Sequence, residues 1–143
     1  MMDADEKLIK HLEMIQGVVN RLAGNSFAMK GWSVTLVSAL IAIAVDKSDG
    51  RFAFAALLPA TAFWILDGYF LWQERLFRKL YDAVRLGQRK NPEDAFSMNV
   101  APYFELTPSM LAATFGIGKK PNTLLYFHGI VVLSVLVAVK LLG

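Results

Sequence analysis

The sequence predicts an all-α integral membrane protein with three transmembrane helices, an N-terminal amphipathic helix and a cytoplasmic helical stalk continuing from the second span. Three observations predict it. The 143 residues are 55% hydrophobic and only 19% charged, too apolar for an ordinary soluble domain of this length. Uncharged runs recur at lengths suited to a hydrocarbon layer about 30 Å thick, crossed at about 1.5 Å per helical residue. The basic residues gather at one end of those runs. The chain has no cysteine, which removes disulfides, thiolate metal sites and cysteine nucleophiles. A net charge of +3 is too small to signal nucleic acid.

Residues 1–25 form the first element. Leu8, Leu12, Ile15, Val19 and Leu22 alternate spacings of four and three, the seam of a helix packed on a partner helix. Its polar face mixes Asp5, Glu6, Lys7, Lys10, Glu13 and Arg21 and lacks the lysine-rich surface of a helix lying on lipid, so a protein partner is expected. Charge throughout Met1 to Arg21 argues against a signal peptide. Gly24-Asn25-Ser26 leaves two alternatives: a break with Ser26 as a new N-cap, or one bent helix running through.

Residues 26–73 read as a hairpin of two spans. Gly31 to Val45 is uncharged and, extended back to Ser26, is long enough to cross; Phe52 to Trp72 carries Asp67 as its one ionisable group. Pro59 and Thr61 predict a kink in the second span. Trp32, Trp64, Tyr69 and Trp72 are spread along both helices, and those close to the cytoplasmic ends read as an interfacial aromatic belt. Residues 123–143 form the third span, with His128 about a turn in from its start. Twelve of the fifteen lysines and arginines precede the first span or lie between the second and third. Cytoplasmic flanks hold such an excess, which places the N-terminus in the cytoplasm, and the turn at 46–50 and the C-terminus in the periplasm.

The turn at 46–51 is too short for anything but an antiparallel hairpin, so positions whose numbers sum to about 97 lie level. Lys30 and Asp67 are such a pair. Ionisable groups inside a span are costly and face a partner in the bundle interior, so the two are expected to neutralise each other, and His128 to join them in one polar layer. Such a layer is either a structural salt bridge or an ion or proton path. Ser33, Thr35, Ser38, Ala39 and Ala42 give the first span a small-residue packing seam.

Residues 74–122 combine stalk and loop. Helical periodicity persists from Gln73 to Leu86, pairing Arg21 approximately with Glu74. Prolines 92, 102, 108 and 121 make the remainder mostly loop. Within it, Thr107-Pro108 through Phe115 and Gly116 reads as a two-turn helix capped by Thr107. Phe96, Met98, Tyr103, Phe104, Leu106, Met110, Leu111, Phe115 and Ile117 are too many apolar groups for a solvated linker and are expected to dock, most simply on the stalk. Gly116-Ile117-Gly118-Lys119-Lys120 lacks the spacing and preceding strand of a phosphate loop.

No metalloprotease, hydrolase-elbow or EF-hand motif occurs, so no catalytic residue, metal or cofactor is expected. The stretches His11-Leu12-Glu13-Met14-Ile15-Gln16, Asn25-Ser26-Phe27, Lys30-Gly31-Trp32-Ser33-Val34-Thr35 and Phe63 to Arg75, including Phe-Trp-Ile-Leu-Asp-Gly-Tyr-Phe-Leu-Trp, resemble a family of small uncharacterised bacterial membrane proteins. The resemblance covers about the first 85 residues and implies a bacterial inner-membrane location, with no activity to carry over. The functional expectation is a non-catalytic protein that self-associates in the lipid bilayer as a homo-oligomer, acting as a membrane-disrupting or channel-like effector. The alternatives are a scaffold or regulatory subunit whose stalk recruits a soluble cytoplasmic protein and, more weakly, a proton-coupled or lipid-handling protein using Asp67.

Overall fold

The computed structural model of the chain describes residues 3–88, 95–116 and 123–143. They form α1 (Ala4–Lys47), α2 (Gly50–Ala55), α3 (Leu57–Arg85), a 3-10 turn (Ala101–Tyr103), α4 (Met110–Phe115) and α5 (Thr123–Leu142), with no strand among them. Arg89, Lys90 and the run Ile117 to Lys120 lie outside the described residues. The structure is all-helical, and α1, α2 continued by α3, and α5 are each long and apolar enough to cross a membrane.

Of the two alternatives at Gly24-Asn25-Ser26, the chain takes the continuous one: α1 runs unbroken for 44 residues, about 66 Å. Asp3 caps it by accepting from the Ala4 N–H at 2.7 Å, and Asp5 and Glu6 favour the positive end of its dipole. Continuity follows from phase. The buried positions His11, Ile15, Val19, Ser33, Val37 and Ala44 fall within roughly 80° of one another at about 100° per residue, so one face serves the whole length. A break at Gly24 would throw the second half out of register, a larger loss than the roughly 1 kcal/mol that a helical glycine costs.

Ser48 ends α1 in the left-handed conformation at φ 50°, and the Asp49 carboxylate caps α2 by accepting from the Arg51 N–H at 2.9 Å. The predicted kink is a helix restart. Were α2 and α3 one helix, the Pro59 ring would press on the Ala55 carbonyl and leave it without a donor. Breaking at Ala56 puts Pro59 in the first turn of α3, where an N–H has no intrahelical partner anyway.

Two apolar cores result. The first joins Ile15 and Val19 of α1 to Leu76, Leu80 and Val84 of α3 and is closed by Tyr103, with Met98 and Val100 against it. The second joins Val37 to Ala56, Ala60, Val131 and Val135. The end of α5 reaches the hairpin turn, where a side chain at position 50 would sit 3.2 Å from the Gly143 backbone nitrogen. α5 therefore lies beside the upper half of the hairpin alone.

The segment after α3 docks in parts. Met98, Val100 and Tyr103 cover the first core, Phe96 meets the edge of His11 at 6.0 Å, and Phe104 packs on Trp72 at 5.4 Å. Leu106 and Leu111 stay exposed at 59% and 64%. The cap of α4 differs from expectation. Ser109 accepts from the Ala112 N–H at 3.2 Å, while the Thr107 hydroxyl donates back to the Tyr103 carbonyl at 3.0 Å and is unavailable as a cap. Gly116 terminates the helix at φ 65°, as its position predicts.

Candidate functional site

The site lies where the three long apolar helical segments meet. Ser26 and Lys30, one turn apart, come from α1, Asp67 from α3 and His128 from α5. Asp67 and His128 are fully buried, whereas the Lys30 side chain is 26% exposed and Ser26 is half-buried, so the cluster touches the outside along α1.

Asp67 accepts three hydrogen bonds. Lys30 Nζ donates to Oδ2 at 2.6 Å, His128 Nε2 donates to the same oxygen at 2.8 Å, and the Ser26 hydroxyl donates to Oδ1. Lys30 also donates to Ser26 Oγ at 2.9 Å, closing a ring of charge-assisted bonds, the stronger class. Because a carboxylate oxygen can only accept, Nε2 carries the proton. His128 Nδ1 is buried and has no partner among the described residues, as has Ser33 Oγ.

An aromatic wall encloses the imidazole. Trp64 stacks on it at 5.9 Å with planes 9° apart, and Phe127 meets it edge-on at 5.1 Å. Trp64 in turn donates its indole N–H to the Thr114 carbonyl at 2.9 Å and touches Phe115 at 5.5 Å. This ties α4 to the cluster. The tie requires Gly68, where a Cβ would lie 2.0 Å from Thr114 Oγ1 and 2.9 Å from the Thr114 Cα.

The chemistry is that of a buried ion-pair network. Lys30 Nζ is committed to Asp67 Oδ2 and to Ser26 Oγ. The α1 backbone amides are engaged in the helix and offer nothing to a developing oxyanion. His128 donates from Nε2 to Asp67 and keeps on Nδ1 a lone pair that can accept a hydrogen bond. Among the described residues no cluster of three His, Cys, Asp or Glu side chains is placed to hold a metal ion.

Lys30, Asp67 and His128, expected at one height, are brought into direct contact. Arg21 and Glu74 are not. Glu74 accepts from Arg78 at 2.8 Å, four residues along its own helix, a shorter-range partner that demands less side-chain ordering, and Arg21 stays exposed. The small-residue seam also divides. Ser33 is buried, but Thr35, Ser38, Ala39 and Ala42 are exposed on the opposite face of α1, and Val37 and Ala44 fill the inward positions. The Thr35 hydroxyl returns to its own helix, donating to the Gly31 carbonyl at 2.9 Å.

Of the aromatics spread along the hairpin, Trp64 lies against the imidazole and α4. Trp32 is 57% exposed and Trp72 sits by Phe104 and Tyr69. Sequence reasoning missed Ser26 as an Asp67 ligand. Its signal was present, since Ser26 stands one helical turn before Lys30 and shares its face. Comparison with family models, with curated proteins and with solved structures finds no match.

Proposed function

We propose that this chain is a non-catalytic protein of the bacterial inner membrane, N-terminus in the cytoplasm, that works as an assembly of identical copies with a channel-like or membrane-disrupting action. One observation carries this reading. On α1, Thr35 with Ala39 and Ser38 with Ala42 form two small-xxx-small pairs facing away from the rest of the chain, flanked by exposed Trp32, Leu36 and Ile43 on one side and Val34 and Val45 on the other. In lipid, where apolar side chains gain nothing from leaving water, small residues at four-residue spacing let two helix backbones approach closely. The three spans fill their own centre with Val37, Ala56, Ala60, Val131 and Val135, which directs any aqueous path to the space between copies.

The chain lacks cysteine, so Ser38→Cys introduces a single reporter. Oxidation in native membranes should join S38C copies into disulfide dimers, whereas Leu58→Cys, at an exposed position of α3, should not cross-link. Equal cross-linking of the two, with a monomer in mild detergent, sinks the reading and leaves the scaffold alternative, in which the α1–α3 stalk recruits a soluble protein. Ion flux from liposomes carrying the assembly separates a channel from a silent oligomer.

The unpartnered His128 Nδ1 beside Asp67 favours a second reading, a proton-linked membrane protein in which the cluster carries or senses the proton. Under it, Asp67→Asn abolishes activity while assembly survives.

A further inference from the structure

Below the Asp67 layer, α3 carries two cations without counterions. Arg75 and Lys79, four residues apart, have no acidic partner among the described residues. Their neighbours are taken: Arg78 is held by Glu74 at 2.8 Å and Asp82 by Arg85 at 3.5 Å. Arg75, Arg78, Lys79 and Asp82 line a groove of about 290 Å³ with Thr107 and Pro108. Three cations face one carboxylate that is already engaged, so the groove is electropositive.

Its height is fixed by helix length. Lys30 to Lys47 on α1 spans about 26 Å and Asp67 to Arg75 on α3 about 12 Å. With a hydrocarbon core of about 30 Å and headgroup layers of roughly 5–7 Å on each side, Arg75 falls at the outer edge of the inner headgroup layer. Helical side chains lean toward their own N-terminus, which for α3 is the bilayer side, so Arg75 and Lys79 lean back toward the phosphates. From Thr107 and Pro108 at the groove, the chain rises to α4, whose Thr114 lies against Gly68 at the Asp67 level. Leu106 adjoins Thr107 in sequence and Leu111 stands in the first turn of α4, and both are exposed, at 59% and 64%.

We propose that this groove binds the phosphate of an anionic phospholipid headgroup from the inner leaflet, with Arg75 and Lys79 as its ligands and the exposed leucines against its acyl chains. A free phosphate would use the same cations but leave the leucines uncovered. A zwitterionic headgroup would bring its own cation against Arg75 and Lys79. The inference goes beyond self-association and shares with that reading only the placement in a membrane.

The test uses the full-length protein, delipidated in detergent and given back dioleoyl phosphatidylglycerol, dioleoyl phosphatidylcholine or inorganic phosphate, with bound species counted by native mass spectrometry. The expected result is a clear preference for phosphatidylglycerol over phosphatidylcholine. Arg75→Gln with Lys79→Gln should weaken phosphatidylglycerol binding about 25-fold, at about fivefold per cation. Lys79→Gln alone should lose about fivefold, a readout that survives if the double variant folds poorly, and Arg75→Lys should keep the preference. Lys7→Gln with Lys10→Gln, which removes equal charge near the far end of α1, should change nothing. Equal binding of the two lipids by the unaltered chain overturns the proposal. So does an unchanged preference in the double variant, or an equal loss in the Lys7 and Lys10 control. Displacement of the lipid by inorganic phosphate at comparable concentration assigns the site to the free anion and overturns the lipid source; failure to displace supports it. Cross-linking of S38C reports separately on self-association.

Discussion

The two apolar cores along α1 are built from different residues although one helix face supplies both. The lower core holds the larger side chains Ile15, Leu76, Leu80 and Tyr103 beside Val19 and Val84, with a loop laid over it. The upper core is made of small ones, Val37, Ala56, Ala60, Val131 and Val135, while Leu58, Ile130 and Leu141 point outward at 78%, 68% and 78% exposure. This is the contrast expected of a helix pair passing from water into hydrocarbon. In water each large side chain withdrawn from solvent contributes about 1.5–3 kcal/mol, so bulk at the seam is favoured. In lipid that gain vanishes, and association depends on close backbone approach and on polar bonds between helices. The Asp67 cluster stands between the two cores and links the three helices.

The largest effect is expected where that link is broken. Asp67→Asn leaves Lys30, only partly buried, without its counterion, and removing one partner of a fully buried pair costs about 3–5 kcal/mol, an upper bound here. Thermal unfolding in detergent should fall sharply, and α4 should loosen with it through Trp64. Replacing the charged partners together (Lys30→Met, Asp67→Leu, His128→Phe) should recover most of the loss, because a well-packed apolar set matches a buried ion pair in stability. Full stability of Asp67→Asn would show that the cluster is no clasp. An inactive triple variant that is stable would favour the proton-linked reading.

Opposite substitutions sharpen the comparison. Leu76 is fully buried in the lower core, and Leu76→Ala should cost about 2–5 kcal/mol as transfer free energy and cavity combined. Ala60 is equally buried in the upper core, where the damaging change is enlargement: Ala60→Leu should cost about 1–3 kcal/mol by forcing α1, α3 and α5 apart. Hydrogen exchange read segment by segment should place the first loss in residues 8–20 and 72–84 and the second in residues 33–44 and 128–137. If both variants disturb the same segment, the two cores are one and the contrast fails.

Much of this architecture was legible because it follows from length and register. A six-residue turn fixes which positions of a hairpin are level, so Lys30 and Asp67 were paired from numbering alone, and the depth of His128 completed the layer. What numbering does not give is phase. Where every side of a helix is apolar, small residues at helical spacing identify a face without saying which way it points, and Thr35, Ser38, Ala39 and Ala42 proved to face outward. Gly24-Asn25-Ser26 has the composition of a break, but the face shared by Ile15, Val19, Ser33 and Val37 overrides it. The position of α4 was illegible for another reason. A six-residue helix is placed by long-range contacts, here Trp64 with Thr114 and the missing side chain of Gly68, and no local pattern announces them.

The smallest effect belongs to neither core but to the turn that joins α1 to α2. Asp49 receives the Arg51 guanidinium at 2.7–3.1 Å and the Arg51 backbone N–H at 2.9 Å. The side-chain hydrogen bond first, and the backbone bond second, hold its carboxyl below the ordinary value of 3.8. A carboxylate lowered on folding contributes stability that is present above its unfolded value and is lost as pH falls through the folded one. The turn should therefore be unaffected by pH from neutrality down to about 4 and loosen only below that. Asn caps a helix as well as Asp, so Asp49→Asn should leave both cores unchanged and erase the acid-dependent step. Amide chemical shifts of Gly50 and Arg51, followed in acid titration, check this. An inflection above 3.8, or one that persists in Asp49→Asn, would place the titrating group elsewhere.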